Sequence, residues 1–167
     1  MAKLAHLLGS DAFRDAHRVN CTDFTRTRCL SLPTLVAFML QLKGGLALQA
    51  ALDGFFMALR EQVDITRTVT KSAFCQARKK LKASAFVALN RAWLEGWQEH
   101  MPVARWHGLR VVAADGTCVR VPNRSENIHA YGSGPQQDGS VVMARCVALF
   151  SAACRHFLDV TVGRYDG

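Results

Sequence analysis

The sequence has no hydrophobic run long enough to cross a membrane, since its most apolar stretch, Leu32 to Leu42, falls well short of the roughly 20 residues a bilayer span requires. Residues Met1 to Gly9 hold Lys3 and a few leucines but neither a sustained apolar core nor a cleavage pattern. No signal peptide is expected, and the chain reads as cytoplasmic. Closely spaced cysteines are also lacking. Cys21, Cys29, Cys75, Cys118, Cys146 and Cys154 form no pair two to four residues apart, which argues against a zinc site and for reduced, mostly buried thiols. His107, His129 and His156 are dispersed and no His-x-x-x-His pair occurs; no serine sits in a nucleophile elbow. The glycines at Gly132-Ser133-Gly134 lack the Lys-Ser/Thr of a phosphate loop, so nucleotide binding is not expected there.

Acidic residues are scarce. Thirteen Asp and Glu against 21 Lys and Arg leave a net charge of +8, and a polyanion is the natural partner of such a surface. The imbalance is local: from Ile65 to Leu94 there is no acid, but there are Arg67, Lys71, Arg78, Lys79, Lys80, Lys82 and Arg91. Membrane surfaces attract lysines too, but this window opens with too few large apolar residues for an interfacial helix. Nucleic acid is the expected partner, with no membrane association.

What is present is a globular composition, half hydrophobic and one-fifth charged over 167 residues, enough for one moderate domain or two small ones. Residues 1 to 29 mix a short helical signal with a polar arm, Thr22 to Arg28. Ser31 suits an N-cap, Pro33 a first helical turn and Gly44-Gly45 a stop, with Leu35, Phe38, Met39 and Leu42 on one face. A second helix is expected from about Leu46, where Leu52, Phe55, Phe56 and Leu59 recur at helical intervals. A third spans Thr70 to Leu81, docking Phe74, Ala77 and Leu81 and turning Lys71, Arg78 and Lys82 away. Preceded by a helix and a polar turn over Asp64 to Val69, it is compatible with a helix-turn-helix. Gln76 and Arg78 would then read bases, and Lys79, Lys80 and Lys82 would neutralise phosphates. Ser84 suits the cap of a fourth helix carrying Phe86, Leu89, Trp93 and Trp97, ending at His100 before Pro102.

Beyond that proline the period becomes extended. Leu109 to Ala114, Cys118 to Val121, Val141 to Phe150 and Phe157 to Val162 read as strands, with a loop from Pro122 to Ser140. The fold class is therefore α+β, with a helical region over 1–101 and a β-rich region over 102–167. Asp115-Gly116 admits two readings. It can be a carboxylate held at the tip of a short buried strand, or a two-residue hairpin turn between apolar runs.

The stretch Asp115-Gly116-Thr117, followed by Arg120-Val121-Pro122-Asn123, Glu126-Asn127 and Tyr131-Gly132, resembles the first catalytic segment of bacterial insertion-sequence transposases of the DDE class, in the large family named after insertion sequence four. A Thr-Lys-Ser-Ala-Phe opening and an Arg-Lys-Lys-Leu close before a Phe-rich helix extend the resemblance over residues 18 to 167. It implies that Asp115 is a catalytic and metal-binding residue, the first of three carboxylates holding two Mg²⁺ or Mn²⁺ ions about 3.5 to 4 Å apart. It also implies a helical DNA-binding region at Arg67, Lys71, Gln76, Arg78, Lys79, Lys80 and Lys82, followed by the opening antiparallel strands of a ribonuclease H-like fold. Further implications are double-stranded transposon ends as the DNA, a homodimer in a synaptic complex, and a location at the bacterial nucleoid. The sequence departs from the family in showing no second Asp or Glu motif: Glu126 and Asp138 fall in the loop, Asp159 within a strand and Asp166 at the end. The expectation is an amino-terminal portion of a transposase that binds DNA and is inactive alone. The alternative is a basic DNA-binding or regulatory protein with no catalytic role.

Overall fold

The computed structural model describes residues 2–26, 28–42, 45–61, 68–100, 105–134 and 141–165. Among these residues the chain is α+β, with seven helices and a sheet of three long antiparallel strands. It divides into two units, Met1–Trp93 and Leu94–Gly167.

The first unit is helical. Two short helices open it, α1 (Ala2–Gly9) and α2 (Asp11–His17), where the sequence suggests a single short one. Ser10 separates them by capping α2, its hydroxyl accepting from Phe13 N at 3.2 Å. Ser31 caps α3 (Leu32–Gln41), with Pro33 in the first turn. Next come α4 (Leu48–Leu59), α5 (Lys71–Arg78), capped by the Thr70 hydroxyl, and α6 (Ser84–His100), which runs on into the second unit.

The expected stripes of α3, α4 and α5 supply one core cluster, in which Leu35, Phe38, Leu52, Phe56 and Phe74 bury almost completely. A second cluster is made by Phe13, Leu32, Val36 and Ala85, which lie outside the expected stripes, while Phe86, Leu89, Trp93 and Trp97 of the expected α6 stripe are half-buried. Phe38 meets Phe55 and Phe74 edge-on at 5.3 and 5.0 Å, so α3, α4 and α5 share one aromatic contact. That geometry suits the ring quadrupole. Leu42 and Leu59 belong to the same expected stripes but are exposed, because α3 ends before the one and α4 ends at the other. Ser84 does not cap α6 from outside. It is the first helical residue, and its hydroxyl bonds His17 Nδ1 at 2.9 Å.

The polar arm is less loose than its composition suggests. Asp23 is buried, accepting from Asn20 N at 3.0 Å and Asn20 Nδ2 at 3.1 Å, and Phe24, at a positive φ of 58°, packs against both clusters. A further tie joins the α2–α3 and α5–α6 connections: Arg18 bridges Leu81 antiparallel, with Val19 N to Lys80 O and Lys82 N to His17 O both at 2.8 Å.

The second unit holds β1 (Val112–Arg120), α7 (Ser125–Tyr131), the two-residue β2 (Ser133–Gly134), β3 (Val141–Ser151) and β4 (His156–Arg164). The long strands lie in the order β1-β3-β4, all antiparallel. Two expectations fail here. The expected strand 109–114 and return 118–121 are a single strand that passes through Asp115-Gly116 without turning, with Asp115 opposite Ala148 and Gly116 opposite Val147. Neither residue has the positive φ that a type I′ turn requires. The long apolar β3 offers nine paired positions to β1, far more ladder than a local hairpin with short arms could close. The two-residue turn lies upstream, at His107 and Gly108 (φ 47° and 78°), closed by reciprocal 2.9 Å bonds between Trp106 and Leu109. The second failure is α7, inside the expected loop. Its start is held by Asn127 Nδ2 donating to Pro122 O at 2.8 Å, and Gly132, at φ 79°, ends it.

Candidate functional site

Asp115 stands in the middle of β1, not at a strand tip, and the strand is exposed along its whole length rather than buried. Paired residues of antiparallel strands share a face, so Asp115 lies beside Ala148 and Val160, with Ala113 and Thr117 two positions away on its own strand. None of these four is a carboxylate. Its Oδ1 accepts from the adjacent Gly116 N at 2.9 Å.

The other acids do not converge on it. Asp159 is opposite Leu149, one step out of register with the Ala148–Val160 pair, and therefore stands on the other face of the sheet. Its Oδ1 accepts from Val160 N. Glu126 is in the first turn of α7, where a negative charge suits the positive end of the helix dipole. Asp138 and Asp166 lie outside the described residues. Among the described residues no group of three His, Cys, Asp or Glu side chains could hold a metal ion. The side chains described around Asp115 do not fit a two-metal site, which needs several carboxylate oxygens around each hard cation.

The basic segment keeps its charge at the surface but separates it by role. Arg67 lies outside the described residues, while Lys71, Gln76, Arg78, Lys79, Lys80 and Lys82 are all exposed. Lys71 and Arg78 fall on one side of α5, seven residues and about 10 Å apart along the axis. Gln76 is two residues from Arg78 and so points about 160° away from it. These two side chains cannot read the same groove from one docked face, contrary to the expected pairing. The polar turn expected over Asp64 to Val69 lies mostly outside the described residues, which resume at Thr68.

Lys80 and Lys82 are engaged within the protein. Lys80 Nζ pairs with Asp23 Oδ1 at 3.5 Å, and Lys82 Nζ donates to Ala16 O at 3.3 Å near the C-terminal end of α2. Lys82 there meets the negative end of the helix dipole. Burial holds His17 below the ordinary imidazole range, and the Lys82 charge lowers it further. Burial would raise the Asp23 carboxyl, but the two bonds from Asn20 and the Lys80 charge outweigh it and hold the group below its ordinary range. Lys71, Arg78 and Lys79 make no ion pair among the described residues.

Sequence reasoning missed a groove of about 580 Å³ between the 22–30 arm and α5, lined on one side by Arg26 and Arg28 and on the other by Gln76 and Lys80. The arm's two arginines were the one signal of it, but they are far from the basic window in sequence. No helix of the described residues is long and apolar enough to cross a membrane. Comparison of the chain with protein-family models, with characterised proteins and with solved structures gives no match.

Proposed function

We propose that this chain binds double-stranded DNA through its helical unit and is an amino-terminal portion of a DDE-type transposase of the insertion-sequence-four family, with the first catalytic Asp, Asp115, present. The observation that carries the DNA reading is the exposed trio Lys71, Arg78 and Lys79, on and just beyond α5, which no acidic side chain neutralises among the described residues. Cations held on a folded helix and left uncompensated recruit phosphates by releasing the counterions condensed on DNA. The transposase assignment rests on the resemblance around Asp115 and on a β1-β3-β4 antiparallel sheet, the arrangement with which a ribonuclease H-like fold opens. Transposon ends would be the DNA, a homodimer the form within a synaptic complex, and the nucleoid the place of action.

The family's metal chemistry, with Mg²⁺ or Mn²⁺, would need carboxylates beyond Asp115. A non-catalytic DNA-binding or regulatory role is the second reading, and the apolar surroundings of Asp115 on its sheet face favour it.

The test is duplex binding followed by fluorescence anisotropy across a salt series. Lys71→Gln, Arg78→Gln and Lys79→Gln together should weaken binding and flatten the log–log salt dependence by about 0.9 for each phosphate no longer neutralised. An affinity and slope identical to wild type would remove the assignment.

A further inference from the structure

We infer that the groove between the 22–30 arm and α5 is a phosphate-ester site that holds the sugar–phosphate backbone of one DNA strand. This rests on the DNA-binding reading and adds a second binding surface, on a different side of α5 from Lys71 and Arg78. The groove's volume of about 580 Å³ is within the range of sites that take a nucleotide-sized group. Its cations come from two walls, Arg26 and Arg28 on the arm and Lys80 after α5. An anion between the walls would meet charge from both.

The one acid of the lining does not oppose this. Asp23 has a side chain only 7% exposed, and its carboxylate is committed to Asn20 and to Lys80. Lys80 is 45% exposed at its side chain, and an ammonium has three donors, so the ion pair leaves it able to face the groove. Arg26 and Arg28 are exposed, and a planar guanidinium suits two-point contact with phosphate oxygens. Gln76, which α5 turns away from the Arg78 side, adds an amide donor, and Thr70 a hydroxyl. Side-chain amides and hydroxyls are common partners of DNA phosphates. Asp23, which is buried, and Phe24 tie the start of the arm to the helices, two positions before Arg26.

The experiment compares the intact chain with Arg26→Gln/Arg28→Gln, binding a fluorescein-labelled duplex across a salt series, with inorganic phosphate and adenosine monophosphate as competitors. The double variant should lose affinity, with the salt slope flattened by about 1.8 because two phosphates go unneutralised, while its circular dichroism stays that of wild type. Should it fold poorly, the single changes Arg26→Gln and Arg28→Gln each carry the same expectation at half the size. Millimolar phosphate and the mononucleotide should compete no better than chloride of equal ionic strength. Wild-type affinity and slope in the arginine variants, alongside weakened binding in the Lys71, Arg78 and Lys79 variant, would overturn the groove and leave DNA binding standing. Micromolar displacement by the mononucleotide would overturn the choice of a DNA strand. A wild-type chain that binds no duplex would remove both proposals.

Discussion

Asp115 illustrates how far a single residue can be read without its surroundings. The dipeptide Asp115-Gly116 fits a turn or a strand tip, and it is neither. Its partner in the ladder, Ala148, is 33 positions away in sequence, and no local pattern names it. Because the carboxylate is exposed and bonded only to its neighbour's amide among the described residues, Asp115→Asn should change stability by less than about 0.5 kcal/mol in a thermal melt. A drop of several degrees would mean that the carboxylate organises the strand. His17 predicts a pH effect of definite sign. Its folded-state pKa is held below the ordinary value, so the unfolded chain takes up more protons, and stability falls as pH drops through about 6.5 toward the lower folded value. Asp23 acts in the same direction but further into acid, losing its contribution as pH falls through the ordinary carboxylate range. Thermal melts from pH 8 to pH 5 should show the decline, and His17→Gln should flatten that part of the profile; a rise toward pH 5 would contradict the burial argument.

At the scale of elements, helices α3 to α6 are legible in the sequence, whereas α7 and the strand ends are not. Ser31, Thr70 and the 3–4 spacing of Leu35, Phe38, Leu52, Phe56 and Phe74 are local signals, and each matches a cap or a buried face. Missing Phe74 would leave a hole where α3 and α5 meet; Phe74→Ala should cost about 3 to 5 kcal/mol in a denaturant titration. The path of β1, by contrast, is decided by β3, and α7 has no side-chain cap to announce it. Two glycines separate the strand from the turn reading. Gly116→Ala places a Cβ at an ordinary 4.0 Å from Cys146 O in extended backbone and should be tolerated, whereas Gly108→Ala must adopt φ near +78° and should destabilise by about 1 kcal/mol or more. The opposite order, measured by thermal melts, would restore the hairpin at Asp115. Exposure also moves the sensitive strand position. Val112, expected to be buried, is 42% exposed, while Val142 is 1% exposed. Val142→Asp is therefore the change that should disrupt the second unit by burying an unpaired charge, and Val112→Asp should be mild.

For the whole molecule, a surplus of cations with no acid from Ile65 to Leu94 was plain in the sequence, but its division of labour was not. The ion pair of Lys80 with Asp23 and the bond of Lys82 to Ala16 join positions more than 50 residues apart, and they leave Lys71, Arg78 and Lys79 without an ion pair among the described residues. The carboxylates are divided in the same way: Asp115 and Asp159 stand on opposite faces of one sheet. The purified chain should accordingly leave supercoiled plasmid intact with Mg²⁺ or Mn²⁺, and nicking that disappears in Asp115→Ala would show that further carboxylates complete a site. The central claim, that DNA docks on the helical unit through the α5 region, is tested most directly by hydrogen exchange with and without a saturating duplex. Amides from 68 to 82 should exchange more slowly in the complex while β1 and β3 remain unchanged; protection confined to the sheet, or none anywhere at saturation, would contradict it.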